Sequence, residues 1–150
     1  FLQEWVAKLQ VQIKDLDKLL AKLVRDEPSA LDKAPGLGPI LRATLAARLP
    51  ELGRLDRRQI AALVGLAPYN RDSGRWRGQR RIAGGRADVR RVLYMATWSA
   101  IRGDAALASC YQHLVAAGKP KKLAVTACMR KYLTRLNAMK RDNAPWRAAA

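Results

Sequence analysis

Residues 65–102 read GLAPYNRDSGRWRGQRRIAGGRADVRRVLYMATWSAIR. The two halves of this stretch obey different rules. In the second half, apolar residues recur at helical spacing, which predicts a helix from Arg86 to Arg102. In the first half, from Gly65 to Gly85, no period survives. Glycine and arginine replace the apolar residues, and no convincing strand can be read there. A long stretch without periodic structure inside a compact domain is usually functional or disordered. This contrast decides the fold class: an all-α chain whose helices hold one long basic loop.

The flanking segments agree. A further helix is predicted over roughly 104–117, and Pro120 opens a last one reaching about Arg141, a residue suited to a helix's first turn. Upstream, Asp56 with Gln59 forms a capping box for a helix through Val64. Residues 28–48 read PSALDKAPGLGPILRATLAAR, a short helix, a Pro-Gly-Leu-Gly-Pro turn and a second helix. The pattern resembles a helix-hairpin-helix element. Ser29 caps its first arm, and Leu37 would plug it into the core. Gly36 and Gly38 would leave backbone N–H groups free for a phosphate, although a plain helix–helix turn has the same sequence.

Residues 2–23 carry a heptad seam: Leu2, Val6, Leu9, Ile13, Leu16, Leu20 and Leu23, spaced by fours and threes. Two readings stand, an amphipathic helix packed on its own domain or a coiled-coil segment pairing two protomers. The organisation expected is therefore a coiled-coil-like helical segment, 1–25, followed by a compact helical domain, 28–143, with the hairpin at about 28–48. The chain opens in mid-helix on Phe1, so we expect it to be a fragment of a longer protein.

Composition bounds the function. The 150 residues suffice for one core, and 49% of them are hydrophobic. Twenty-nine Lys and Arg against 12 Asp and Glu leave a net charge of +17, which favours a polyanionic partner. No apolar run approaches the roughly 20 residues that cross a bilayer. The basic cluster is no amphipathic helix with an aromatic face, so a membrane surface is disfavoured. Cys110 and Cys128 lack metal-ligand spacing and read as core thiols in a reducing compartment. Nucleic acid is the partner expected.

The charge is concentrated. Residues 67–103 hold nine arginines, including Arg71, Arg75, Arg77, Arg80, Arg81, Arg90 and Arg91, with only Asp72 and Asp88 against them. Residues 119–141 hold eight Lys or Arg and no acid. The loop cations are all arginine, whose fork matches phosphate oxygens. Trp76 among them can stack on a base or anchor the loop, and both readings stay open.

Within this loop lies one serine. Of the four in the chain, Ser29 reads as a cap, while Ser99 and Ser109 fall within predicted helices. Only Ser73 sits among the loop arginines, with Asp72 beside it. Attack on a phosphodiester needs a nucleophile and cations on the non-bridging oxygens, and this composition supplies both. A Gly-x-Ser-x-Gly elbow is absent, which argues against ester hydrolysis. The single histidine, His113, reads as structural. On chemistry alone, a serine in such a loop more often merely donates one hydrogen bond to a bound phosphate, and something more is needed to call it catalytic.

The blocks stand in a specific order: Ala34-Pro35-Gly36-Leu37-Gly38-Pro39, Gly65-Leu66-Ala67-Pro68, Asp72-Ser73-Gly74, Arg80-Arg81-Ile82, Gly84-Gly85, and Val89-Arg90-Arg91-Val92-Leu93-Tyr94-Met95-Ala96. From Pro35 to about Leu136 the chain resembles the C-terminal domain of the insertion-sequence transposases that include the pilin-gene invertases. The resemblance implies that Ser73 is the nucleophile, becoming covalently linked to a DNA end. The hairpin and the loop's own chemistry give Gly36, Gly38 and the arginines as phosphate contacts, and the heptad gives a dimer through 2–23, where the resemblance implies a coiled coil. The resemblance also implies an N-terminal RuvC-like domain whose four acidic residues bind Mg²⁺, so that no cofactor belongs to this fragment, which would bind DNA without recombining it alone. Some family members take their targets from a structured guide RNA. The expected location is the bacterial cytoplasm, at the nucleoid. Asp72 departs from the small polar residue common in the family, and its role in tuning Ser73 stays open. The competing readings are a non-catalytic nucleic-acid-binding module and an oligomerisation module built on 2–23.

Overall fold

The computed structural model describes residues 1–25, 29–69, 72–77 and 81–147, with the backbone alone at 24, 25, 72, 73, 76 and 77. The chain is all-α. Its helices are α1 (Leu2–Arg25), α2 (Pro39–Arg48), α3 (Arg57–Val64), α4 (Ala87–Gly103), α5 (Ala105–Ala116) and α6 (Lys121–Asp142), with a 3-10 turn at Ala30–Lys33 before α2.

Helix α6 is the axis of the core. It packs on α3, α4, α5 and the 3-10 turn, so its apolar residues spread around the helix instead of forming one stripe. Val125, Cys128, Tyr132, Leu133 and Leu136 are fully buried. Against them lie Leu41 and Leu45 of α2, Ile60 and Val64 of α3, Val89 and Leu93 of α4, and Leu107 of α5. Two buried polar side chains of α6 secure the loops that pass over it. The Tyr132 hydroxyl donates to the Pro35 carbonyl at 2.7 Å. Burial raises its pKa above the usual phenol value. Asn137 accepts from the Gly53 N–H and donates to the Leu55 carbonyl, each at 2.8 Å, which locks the 50–55 turn.

Local chemistry explains the helix starts. Ser29 and Asp32 form a capping box at the 3-10 turn, and Asp56 and Gln59 form the one expected at α3. Asp104 caps α5 through the Leu107 N–H. Pro120 stands immediately before α6, one position earlier than a first-turn proline. The hairpin region departs from expectation in one respect. Its first arm is a single 3-10 turn of four residues and not an α-helix. Residues Lys33 to Pro39 are too rich in Pro and Gly to extend it.

Among the described helices and strands, α1 packs on α2. Among its described side chains only Leu20 and Ala21 are half-buried. The seam is otherwise open: Leu9 is 50% exposed and Leu16 is 60% exposed. Among the described residues the seam is covered only at Leu20, where α1 meets α2, so both readings of α1 stand.

The expectation of a loop without strands is also corrected. Among the described residues of 65–85 there are four two-residue strands: β1 (Pro68–Tyr69), β2 (Asp72–Ser73), β3 (Trp76–Arg77) and β4 (Arg81–Ile82). They pair antiparallel, β1 with β4 and β2 with β3, the inner pair nested within the outer. Strands this short carry no hydrophobic alternation, so nothing in the sequence pattern announces them.

Candidate nucleic-acid interface

The ribbon is built from its base upward. Helix α3 has eight residues, too few to be stable alone, so the fate of its last carbonyls matters. All four find donors. Leu66 N–H reaches Ala61 O at 2.7 Å, Gly65 N–H reaches Ala62 O at 3.0 Å, and Arg86 N–H reaches Leu63 O at 3.1 Å. The fourth, Val64 O, accepts from Arg90 Nη1 at 2.9 Å. The same nitrogen donates to Gly84 O at 2.7 Å. One arginine on α4 thus ties the end of α3, where the chain leaves for the ribbon, to the segment that returns from it.

Glycine is required at this junction. Gly65 and Gly85 have φ of +80° and +66°, and a Cβ on Gly85 would stand 2.6 Å from the Gly65 Cα. The two backbones touch, which no side chain would permit. Below the junction, Arg86 clamps α2 to α4. Its guanidinium holds both Glu51 carboxylate oxygens at 2.6 Å and also donates to the Arg48 carbonyl at 2.8 Å. Arg48 reaches back to Asp88 at 2.5 Å. The hydrogen bond from Arg86 holds the Glu51 carboxyl well below its usual range, at about 2.

At the far end of the ribbon, Ser73 pairs with Trp76 across the turn Gly74-Arg75. Gly74 has φ of +57°, the backbone that a two-residue hairpin of the primed type demands of its first central residue. Ser73 therefore sits directly before the tip. The other serines do not share that setting. Ser29 caps the 3-10 turn, Ser99 accepts from Arg102 on α4, and Ser109 lies within α5.

The expected phosphate contacts divide. Arg75 at the tip and Arg81 in β4 are exposed. Arg71 and Arg80 lie outside the described residues, and for Asp72, Ser73, Trp76 and Arg77 only the backbone is described. Arg90 is half-buried and committed to the two carbonyls, while Arg91 beside it is exposed. Gly36 has a packing role. It has φ of +78°, and a Cβ there would lie 2.9 Å from the Ala100 N on α4. Gly38 is the N-cap of α2, exposed, with its own N–H turned to Gly36 O at 3.0 Å. The free N–H groups that the two glycines were expected to present are thus reduced by that contact.

Two features escaped the sequence reading. Arg91 lines a groove of about 620 Å³ with Ile82, Tyr94, Met95 and, from α6, Lys122 and Thr126. Lys122 belongs to the acid-free run 119–141, which was the available signal. The second is a cluster around Asp104, which accepts from Trp146 Nε1 at 2.9 Å and pairs with Arg135 at 3.3 Å. Burial would raise the Asp104 pKa, but the Leu107 N–H, Trp146 and Arg135 outweigh it and lower it. His113, expected to be structural, is exposed in the last turn of α5. Cys128 is buried and Cys110 half-buried, both as free thiols. Burial, with Cys110 adjacent, pushes the Cys128 thiol up to about 12. No three His, Cys, Asp or Glu residues converge on a metal site among the described residues. No helix among them is long and apolar enough to cross a membrane.

The 3-10 turn, the ribbon and helices α2 to α4 lie within one stretch, 29–112, that matches the model of the transposase IS116/IS110/IS902 family. The chain belongs to that family. The insertion element IS900 uncharacterized 42 kDa protein of Mycobacterium paratuberculosis is 33% identical over 153 residues, covering 96% of this chain and 37% of that protein. The insertion element IS116 uncharacterized 44.8 kDa protein of Streptomyces clavuligerus is 38% identical over 73 residues, 47% of this chain and 18% of that protein. The chain thus spans about a third of the first relative and under a fifth of the second. The transposase family match contains the whole ribbon and ends within α5, so α6 lies beyond it.

Proposed function

We propose that this chain is the DNA-binding, serine-bearing part of a transposase, with Ser73 as nucleophile. The observation that carries the reading is the place of Ser73: directly before the tip of a basic ribbon, inside the family-matched stretch. In the step proposed, Ser73 Oγ loses its proton to a base and bonds to the phosphorus of a DNA phosphodiester. The bond from phosphorus to the leaving sugar oxygen breaks, and that oxygen takes up a proton. A second strand end then attacks the serine–phosphate linkage, releases Ser73 and joins the new partner. Negative charge builds on the non-bridging oxygens, and Arg75 and Arg81 stand on the ribbon to meet it, with Arg71, Arg77 and Arg80 beside them in sequence. Arg91, Gly36 and Gly38 would hold the flanking backbone, and Asp72 would tune the serine.

The same reading divides the chain into a helical arm, 1–25, and a serine-bearing body, 28–143, with a helix-hairpin-helix-like element at about 28–48. It pairs two protomers through the open seam of α1. It assigns Mg²⁺ to the acidic residues of a RuvC-like domain outside this chain, and the place of action to the bacterial cytoplasm, at the nucleoid. Target choice by a structured guide RNA is a further element of the family reading.

The test uses a complete transposase carrying this chain, incubated with Mg²⁺, any required RNA and a nicked suicide DNA that traps a cleaved end. A denaturation-resistant DNA adduct should map to the Ser73 peptide and vanish in Ser73→Ala while binding persists. Cleavage without an adduct, unchanged in that variant, would reduce Ser73 to a phosphate-binding hydroxyl.

A further inference from the structure

We propose that the groove between the first turn of α3 and the outer face of α6 is a second seat for a nucleic-acid backbone, separate from the ribbon. It rests on the reading that this chain meets nucleic acid, but not on the serine chemistry. The groove measures about 580 Å³ and shares no residue with the ribbon.

Its lining contains Arg57, Arg58, Arg130, Lys131 and Arg135 and no acidic residue. Arg135 is already compensated. It pairs with Asp104, and its guanidinium lies 3.7 Å from the centre of the Trp146 ring. The other four enter none of the ion pairs found among the described residues. Asp56 directly precedes Arg57 and Arg58 in the chain, and its carboxylate is already engaged. It accepts from the Arg58 and Gln59 N–H groups as the α3 cap, and its pKa is lowered chiefly by those bonds. Four cations facing one groove repel one another until an anion enters.

The shape identifies the anion. The rest of the lining is small: Ala127, Thr134 and Ala138, all on α6. From 127 to 138 the helix rises about 16 Å, room for several phosphates of one strand. No lining residue is a large apolar or aromatic side chain, so the groove offers a protein partner none of the buried anchors on which protein interfaces depend. A linear polyanion needs only the cations and a flat approach. The α6 wall lies beyond the family-matched stretch, so it extends the contact surface to a part of the chain that the family match does not cover.

The experiment measures binding of a labelled DNA duplex to this chain by fluorescence anisotropy, from roughly 50 to 200 mM salt. The variant carries Arg58→Gln, Arg130→Gln and Lys131→Gln, and its fold is checked by far-ultraviolet circular dichroism. Each lost phosphate contact should flatten the log–log salt slope by about 0.9, so the triple variant should lose roughly 2–3. The effect should add to that of Arg75→Gln with Arg81→Gln on the ribbon. An unchanged slope in the folded triple variant overturns the proposal. If the triple variant does not fold, the exposed Lys131→Gln alone must lower the slope by about 0.9, and no change overturns it. Loss of poly-glutamate binding with DNA binding intact would assign the groove to an acidic protein and also overturn it. Salt-insensitive binding by the unaltered chain would overturn both this proposal and the nucleic-acid reading beneath it.

Discussion

The sequence reads Arg90 as a phosphate contact, the structure gives its Nη1 two carbonyl partners, and the two roles give opposite results in one variant. Arg90→Met removes the guanidinium and keeps most of the aliphatic stem. Val64 is fully buried, so its carbonyl loses a charged donor that water cannot easily replace. A hydrogen bond to a charged group contributes about 1.5–3 kcal/mol. Gly84 is exposed, so water takes over at its carbonyl, and the loss there is about 0.5 kcal/mol. The sum is about 2–3.5 kcal/mol. In a domain of this size each kcal/mol moves Tm by about 2–4 °C, so the melt should fall by about 4–14 °C. Circular dichroism reads that shift, and the salt slope of DNA binding reads the other role. As a clamp, Arg90 leaves the slope unchanged when removed, whereas the exposed Arg91→Met lowers it by about 0.9. A variant that melts with the unaltered chain but loses about 0.9 in slope would refute the clamp.

Acid should loosen the α2–α4 junction. The folded Glu51 carboxyl titrates at about 2 against an ordinary 4.5, so its contribution is complete above the ordinary value and is lost as pH falls towards 2. The lowered pKa values of Asp88 and Asp104 act in the same direction. Melts at descending pH should show Glu51→Gln and the unaltered chain converging as pH nears 2; a constant gap would remove the Arg86–Glu51 pair from the account. The α1 seam makes a different prediction. Leu9→Lys with Leu16→Lys should turn a sedimenting dimer into a monomer without moving the melt of the body, and a monomeric unaltered chain would refute pairing through α1.

What the sequence alone determined was local. Caps at Ser29 and Asp56 and the helices ahead of and behind the loop depend on contacts spanning a few residues, where residue type and spacing carry the information. The heptad of α1 was legible for the same reason, although not whether anything covers it. Tertiary structure decided the rest. The Tyr132–Pro35 bond closes a separation of 97 residues, the Asn137–Gly53 bond one of 84, and the Arg90–Val64 bond one of 26. No spacing rule reaches that far, so the sequence could count Arg90 as one more cation but not see which carbonyl it meets. The ribbon was hidden for a related reason. Two-residue strands have no alternation to read, and they stand because Gly65, Gly85 and Arg90 join their ends in space. Charge followed the same division: the sequence counts the cations, and only folding sorts them into those that hold carbonyls or carboxylates and those left facing open grooves.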